Sequence, residues 1–218
     1  PERYLKRQGA GFAATRRGRE MAMYALQRLA RNDPRAAAGA FEPIKPRLSA
    51  QERTYVYGQL GWQAAMRHLP EATAWYRAAG ELKLSDEQIA WKARAALRAE
   101  DWRLVRDTIE AMPERLANEP VWTYWLARAH RALGHGDLAR ELFERIGGQP
   151  NYYSNLADEE IGRQVVVPPK APLPTPEEQA VARETPGIGR ALALFRRDLR
   201  LEAIREWNWA LRGRDDRF

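Results

Sequence analysis

The chain lacks cysteine altogether and has only three histidines in 218 residues. Without cysteine it forms no disulfide, thiol nucleophile or cysteine-ligated zinc site, and such a composition suits the cytoplasm and the periplasm alike. His68, His130 and His135 do not have the spacing of a metal-ligand set, so we expect no metal and no cofactor. The sequence also contains no His-Glu-x-x-His, Gly-x-Ser-x-Gly or phosphate-loop motif.

Long apolar runs are missing as well. None approaches the roughly 18 residues that a membrane-spanning helix needs, so no membrane span is expected. The first residues show no basic start, apolar core and small-residue cleavage site, so no signal peptide is visible. Glycoside hydrolysis usually needs two carboxylates facing each other across a cleft. The acidic run Asp158, Glu159 and Glu160 does not fit, because consecutive side chains diverge around a helix.

Basic residues outnumber acidic residues. Lys and Arg number 36 against 29 Asp and Glu, for a net charge of +7. A basic chain favours anionic partners, such as nucleic acid, acidic glycan or membrane headgroups, although a genome that uses Arg freely gives the same excess. Arg is interleaved with Glu and Asp in nearly every predicted helix. The sequence therefore lacks the basic stripe of a nucleic-acid-binding protein, and no nucleic-acid partner is expected.

The clearest pattern spans residues 121–162 and predicts helix, tight turn, helix, loop and helix. In its first helix, Trp122, Trp125 and Leu126 begin an apolar stripe at three- and four-residue spacing. Gly134 can supply the left-handed backbone of a C-terminal cap, and Asp137 is expected to cap the next helix. Four apolar residues of that second helix are expected to face the first helix: Leu138, Leu142, Phe143 and Ile146.

Tryptophan at helical spacing is more typical of a hairpin core than of a binding site. Small residues such as alanine let two helices approach closely. On these grounds the predicted structural core contains Trp122, Leu126, Ala127, Ala139, Phe143, Trp102 and Trp207.

The hairpin recurs along the chain. Ala127, Gly134 and Ala139 fall on Ala93, Glu100 and Val105 with a constant shift of 34 residues, and earlier segments keep the same internal spacing. Ser49 and Ser85 each open a helix with the pattern of a capping box. A period near 34 is the tetratricopeptide pattern in degraded form. The predicted fold is all-α, a right-handed α-superhelix or solenoid of TPR-like hairpins.

Composition divides the chain into four parts. Residues 1–18 are predicted to be a frayed basic segment, and residues 19–163 the hairpin repeats. Residues 164–176 are rich in proline and predict an extended connector. Residues 177–218 are predicted helices that continue the superhelix, and we expect them to be truncated.

Three features together carry a resemblance. They are the Trp-rich stretch 122–129, the Gly-x-x-x-x-Ala turn from Gly134 to Ala139, and Asn-Tyr-Tyr-Ser-Asn-Leu-Ala-Asp-Glu-Glu-Ile-Gly at 151–162 before a proline-rich exit. This combination resembles the superhelical, non-catalytic region of the soluble lytic murein transglycosylases. Members read close to Asn-Phe-Tyr-Gly-x-Leu-Ala-Ala-Glu-x-Leu-Gly there. Tyr152 stands for the aromatic residue and Ser154 for the glycine.

The resemblance implies a periplasmic scaffold that guides or encircles peptidoglycan glycan strands. A C-terminal, lysozyme-like catalytic domain of the same parent chain would then cleave the MurNAc–GlcNAc bond without hydrolysis, leaving 1,6-anhydro-MurNAc ends. The catalytic Glu-Ser pair of that family does not occur in these 218 residues. The chain itself is therefore expected to be inactive.

Aromatic side chains stack on sugar faces, and Tyr152, Tyr153 and Trp125 are the candidates for glycan contact. Two alternatives remain open. A TPR-like adaptor would hold a partner's peptide in its groove. A nucleic-acid-binding helical repeat is suggested by net charge alone.

Overall fold

A computed structural model describes residues 10–164, 170 and 172–214, together with Arg3 and Leu5. Across these residues there are thirteen α-helices and no strand, so the predicted all-α fold is confirmed. The chain divides into two compact units, Pro1–Val167 and Pro168–Phe218. Most of residues 1–9 and, within the predicted connector, residues 165–169 and 171 lie outside the described residues.

The first unit is a succession of helical hairpins preceded by a short 3-10 helix at Ala10–Ala14. A second 3-10 helix, Lys45–Arg47, follows the first hairpin. The α-helices are α1 (Arg16–Ala30), α2 (Pro34–Phe41), α3 (Ala50–Met66), α4 (Ala72–Ala79), α5 (Asp86–Arg98), α6 (Trp102–Glu110), α7 (Glu114–Ala117), α8 (Pro120–Ala132), α9 (Gly136–Ile146) and α10 (Tyr152–Glu160).

The predicted frayed segment 1–18 is wrong for its second half. Residues 10–14 form the 3-10 helix, and α1 begins at Arg16 with the Thr15 hydroxyl accepting from the Gly18 N–H. Ala13 is fully buried. Gly18 allows the backbone of the 3-10 helix to lie against the start of α1. A Cβ at this position would lie 1.7 Å from the Phe12 carbonyl oxygen, so only glycine fits here.

Helix starts follow local sequence signals. The Ser49 hydroxyl accepts from the Glu52 N–H at 3.2 Å, and Glu52 accepts from the Ser49 N–H at 2.7 Å. The same two-way capping box is present at Ser85. The prediction that Asp137 caps α9 is wrong, because His135 is the cap residue and Asp137 lies in the first turn. There a carboxylate is favoured by the helix dipole.

Three of the hairpin turns in the first unit close with the same backbone motif. The N–H groups of Leu69, Asp101 and His135 donate to the carbonyls five residues earlier, at 2.9–3.0 Å. The residue before each donor has a positive φ, namely 58° at His68, 52° at Glu100 and 86° at Gly134. This is a Schellman cap, which satisfies the last carbonyls of the first helix. The left-handed conformation predicted for Gly134 is confirmed, and two of the three equivalent positions are not glycine.

Close helix contacts are made by small residues. Ala127, Ala139 and Phe143 are fully buried where α8 meets α9. Trp122 is 2% exposed in the neighbouring cluster, against which the partly buried Leu126 and Trp102 pack. Leu138 does not face α8 and is 49% exposed. One residue is a rotation of about 100° around a helix, so with Ala139 on the inner stripe Leu138 points away.

Between α3 and α4 the contact depends on Gly61. A Cβ at this position would lie 3.0 Å from the Tyr76 ring. The ring is buried, and its hydroxyl donates to the Gln88 carbonyl at 3.1 Å. Burial raises the pKa of Tyr76, so this hydroxyl remains a donor.

One α-helix was not predicted. The single-turn helix α7 separates α6 from α8 and buries Leu116 in the cluster that contains Trp122. Its last carbonyl, of Ala117, accepts a 3.2 Å hydrogen bond from the Thr123 hydroxyl. It fills the connection between α6 and α8 and leaves the 34-residue period from α5 to α8 unchanged.

The second unit contains α11 (Pro176–Glu184), α12 (Pro186–Arg196) and α13 (Arg200–Ala210). Helices α12 and α13 meet where a Cβ on Gly187 would lie 2.6 Å from the Ala210 Cβ. Trp207, predicted to be core, is 36% exposed instead. A helix pair buries one stripe only, and here Ala203 occupies it on α13.

Candidate ligand-binding groove

Helices α5, α8 and α10 line an open groove of about 440 Å³ in the first unit. Two arginines and three aromatic rings dominate its wall. The lining residues are Arg94, Leu97, Arg98, Val121, Trp122, Trp125 and Tyr153. All belong to helices that open a hairpin or follow one, so the repeat architecture brings them together.

The Arg94 guanidinium lies over two indole rings. Its guanidinium carbon lies 5.2 Å from the centroid of Trp91 and 5.1 Å from that of Trp122. Trp91 precedes it by three residues on the same helix face, whereas Trp122 comes from α8. Cation–π attraction to two rings orients the planar guanidinium without consuming its N–H donors.

Arg98 lies one helical turn beyond Arg94 and is exposed. Among the described residues, neither arginine has a hydrogen-bond or ion-pair partner, and no carboxylate lines the groove. The arginines of the adjoining helix are different, because Arg128 and Arg131 both pair with Glu160. The groove therefore carries positive charge that the surrounding protein does not neutralise.

The aromatic part of the wall is a connected cluster. Tyr124 packs edge-on against Trp125 at 5.3 Å between centroids, and lies 5.6 Å from Tyr153. Tyr152 is 69% exposed and stands edge-on to Tyr153 at 5.1 Å. Of the three predicted glycan-contact residues, Trp125 and Tyr153 line the groove, and Tyr152 lies beside it.

A polar network joins α10 to α8 behind these rings. The Tyr124 hydroxyl donates to Glu160 Oε1 at 3.1 Å, and Arg128 Nη1 donates to the Tyr124 hydroxyl at 3.0 Å and to Glu160 at 2.9 Å. Arg131 also binds the Glu160 carboxylate. Burial raises the pKa of Tyr124, which keeps the phenol protonated and able to donate.

The three consecutive carboxylates of α10 separate as predicted. Asp158 is buried and accepts from the Gly148 N–H at 2.9 Å and from Arg163 Nη1 at 3.0 Å. Glu159 is exposed. Glu160 is taken up by the network with Tyr124. They do not converge on one point, so they do not form an acid–base pair for glycosidic bond cleavage.

Two histidines meet at the α8–α9 turn, a contact that sequence spacing did not predict. His130 Nδ1 lies 3.2 Å from His135 Nδ1, and His130 Nε2 lies 3.7 Å from Glu110 Oε1. Burial lowers the pKa of His130, and His135 and Arg106 lower it further, whereas Glu110 raises it. Over the described part of the chain, no three His, Asp or Glu side chains gather closely enough to hold a metal ion.

A second groove, of about 450 Å³, lies between α1 and α3. It has exposed tyrosines, Tyr24 and Tyr55, but its charged residues are acidic. Glu52, one of them, is neutralised by Arg19 at 2.9 Å. Glu20, the other, pairs with Arg16 at 2.9 Å. The charged residues of this groove are therefore compensated, whereas the arginines of the first groove are not.

The sequence pointed to Trp125 and Tyr153 as binding residues, assigned Trp122 to the core, and gave no indication of the two arginines. The available signal was Arg94-x-x-x-Arg98, which places two cations on one helix face, three residues after Trp91. That signal does not stand out, because arginine is frequent throughout the sequence. The pairing with Trp122 depends on how α8 docks after α7, which the spacing does not reveal.

The fold is shared with two solved lytic transglycosylases. An inactive variant of lytic transglycosylase Slt from Pseudomonas aeruginosa superposes over 92% of this chain with a TM-score of 0.69 and 23% identity. The 70 kDa soluble lytic transglycosylase SLT70 from Escherichia coli does so over 94% of the chain with a TM-score of 0.62 and 21% identity. The chain spans 33% of the length of each. The resemblance predicted from the sequence is thus confirmed in the fold.

No protein-family model matches the sequence, and no curated protein matches it. Within the described ranges, no helix combines the length and apolar character needed to cross a membrane.

Proposed function

We propose that this chain is the scaffold segment of a soluble lytic murein transglycosylase, and that it guides or encircles peptidoglycan strands for a catalytic domain. The likeness of fold to two such enzymes over more than nine-tenths of the chain supports the proposal. In the whole enzyme the reaction would be non-hydrolytic cleavage of MurNAc–GlcNAc bonds, with 1,6-anhydro-MurNAc ends. The proposed location is the periplasm.

The groove between α5, α8 and α10 is the observation that carries a binding role. Peptidoglycan combines sugar rings with carboxylates on its stem peptides, so it is anionic and partly apolar. A wall with two uncompensated arginines beside Trp125 and Tyr153 matches both properties. Electrostatic attraction of this kind raises the rate of encounter and weakens with salt.

A catalytic role for the chain itself finds no support among the described residues. The acidic side chains of α10 are either committed to structural contacts or exposed on their own, as set out above. We propose that cleavage belongs to another domain of the same parent chain. Apolar side chains left exposed on α12 and α13 are a surface on which such a domain would pack: Leu192, Phe195, Leu201, Ile204, Trp207 and Trp209.

Cosedimentation with purified peptidoglycan sacculi across a salt series tests the proposal, with release of soluble fragments followed in parallel. We expect binding at low salt that declines as salt rises, and no release. Absence of binding at low salt would contradict the guiding role and favour the protein-binding adaptor. Release of anhydro-muropeptides would contradict the division of labour between scaffold and catalytic domain.

A further inference from the structure

We infer that the groove between α5, α8 and α10 is a subsite for a sugar that bears a carboxylate, either directly or on an attached peptide. Arg94 and Arg98 bind the carboxylate, and Trp125 with Tyr153 contacts the sugar ring. The inference rests on the proposed function for its choice of peptidoglycan as the source of such a ligand. It assigns the recognition to particular side chains.

The Arg94 guanidinium is oriented by its neighbours before any ligand binds. A guanidinium presents five N–H donors in one plane, in a fork that matches a carboxylate. The Arg94 guanidinium carbon lies 5.2 Å from the centroid of the Trp91 ring and 5.1 Å from that of the Trp122 ring. Because the side chain is already oriented, it loses less conformational entropy when a carboxylate binds.

The isolation of Arg98 is the second argument. On the facing helix α8, Arg128 and Arg131 are neutralised by Glu160, and on α1 Arg19 is neutralised by Glu52. Arg98 has no such partner among the described residues, and it lies one turn from Arg94 on the same face. Two guanidinium groups at this spacing fit a single carboxylate or two carboxylates of one ligand.

The aromatic side chains give the third argument. Trp125 and Tyr153 are partly buried, and both are supported from behind by Tyr124. Rings held in this way present apolar surface to the C–H face of a sugar at low entropic cost. A groove of about 440 Å³ is of the size that holds a ligand of one or two sugar units.

A nucleic acid fits this site less well. Binding of a phosphate backbone draws on a series of cations along the strand, and affinity grows with the number of phosphates neutralised. Here two free arginines stand together, whereas the neighbouring Arg128 and Arg131 are already paired. The cluster matches a localised negative charge.

Isothermal titration with two probes tests the inference. One probe is a disaccharide tetrapeptide from peptidoglycan, which carries carboxylates, and the other is a neutral GlcNAc tetrasaccharide. Arg98→Gln should weaken the acidic probe by about tenfold or more, since hydrogen bonds to charged groups contribute about 1.5–3 kcal/mol, and leave the neutral probe unchanged. Trp125→Leu should weaken both probes.

Matched controls come from surfaces outside the groove. Arg103→Gln removes an exposed arginine from α6, and Tyr55→Leu removes a tyrosine from the second groove, between α1 and α3. Neither should change the affinity for either probe. Circular dichroism and the melting temperature of each variant establish that it is folded.

The inference is overturned if Arg98→Gln and the unaltered chain have the same affinity for the acidic probe. It is also overturned if duplex DNA binds the unaltered chain more tightly than the disaccharide tetrapeptide does and this binding requires Arg98. If the unaltered chain and the groove variants cosediment equally with sacculi, the subsite is wrong and the proposed function stands. If the unaltered chain binds the probe through Arg98 and does not bind sacculi, the subsite is supported and the guiding role is wrong.

Discussion

The hydroxyl of Tyr124 and the carboxylate of Glu160 are joined by a 3.1 Å hydrogen bond that ties α8 to α10. Arg128 and Arg131 complete the network from α8, so one carboxylate of α10 satisfies three donors of another helix. The same contact fixes α10 in the register that places Tyr153 beside Trp125. The wall of the groove therefore depends on a residue that does not line it.

Replacing Glu160 by Ala should lower the free energy of unfolding by about 2 kcal/mol, because partly buried donors lose a charged acceptor. Glu159→Ala, one residue away and exposed, should change it by less than about 0.5 kcal/mol. Urea denaturation of both variants gives the comparison. If both variants lowered the free energy of unfolding equally, the hydrogen bonds of Glu160 would make no specific contribution to stability.

The turn residue Glu100 provides a test of the repeat motif. It adopts a φ of 52°, a conformation that costs a non-glycine residue about 1–2 kcal/mol. Glu100→Gly should raise the free energy of unfolding by about 0.5–1 kcal/mol, after allowance for the greater freedom of glycine in the unfolded chain. Gly134→Ala, at the equivalent turn, should lower it by about 1 kcal/mol. A destabilised Glu100→Gly variant would argue against the assigned backbone conformation.

Two helix-interior glycines separate packing from helix propensity. A side chain at Gly61 meets the Tyr76 ring, whereas nothing lies within 4 Å of a Cβ at Gly39. Gly61→Val should therefore destabilise the protein by about 1–3 kcal/mol through overpacking. Gly39→Val should be neutral or slightly stabilising. Thermal or urea unfolding of the two variants measures the difference, and comparable values would exclude a tight α3–α4 contact.

His130 should make stability depend on pH. Burial, the largest cause, lowers its pKa below the ordinary value of 6.5, as do the neighbouring His135 and Arg106, against the opposing effect of Glu110. The unfolded state then binds a proton more readily than the folded state does. The contribution of neutral His130 to the free energy of unfolding is therefore fully present above about pH 6.5, and it is lost as pH falls through the lower pKa of the folded state.

The check is urea unfolding of the unaltered chain and of His130→Gln between about pH 7.5 and pH 5. The loss of stability on acidification should be smaller in His130→Gln. His68→Gln, which removes an exposed histidine, is the control and should leave the slope unchanged. An identical slope for His130→Gln would show that this histidine titrates normally in the folded chain.

Local signals made much of the fold predictable. The four-residue patterns that begin at Ser49 and Ser85 predict helix starts, and the structure shows a capping box at each of them and also at Thr175. The shift of 34 residues between Glu100 and Gly134 reflects one backbone turn used twice. Such features depend on residues that are neighbours in the sequence, so they can be predicted from one amino-acid sequence.

What was missed depends on contacts between distant residues. Arg94 and Trp122 are brought together by the docking of α8 after α7, and α7 itself has no apolar periodicity to announce it. Trp207 was assigned to the core because it lies at helical spacing, yet a pair of helices leaves one side uncovered. The aromatic half of the groove was predictable because Trp125 and Tyr153 stand out in composition, and its arginines do not.

The most direct test of the central claim is titration of the full chain with long, uncross-linked peptidoglycan glycan strands at two salt concentrations. At about 0.01 M salt the Debye length is about 30 Å, and at about 1 M it is about 3 Å. The account predicts saturable binding at the lower concentration, much weaker binding at the higher one, and intact strands afterwards. Lack of binding at low salt, or shortened strands with anhydro ends, would contradict it.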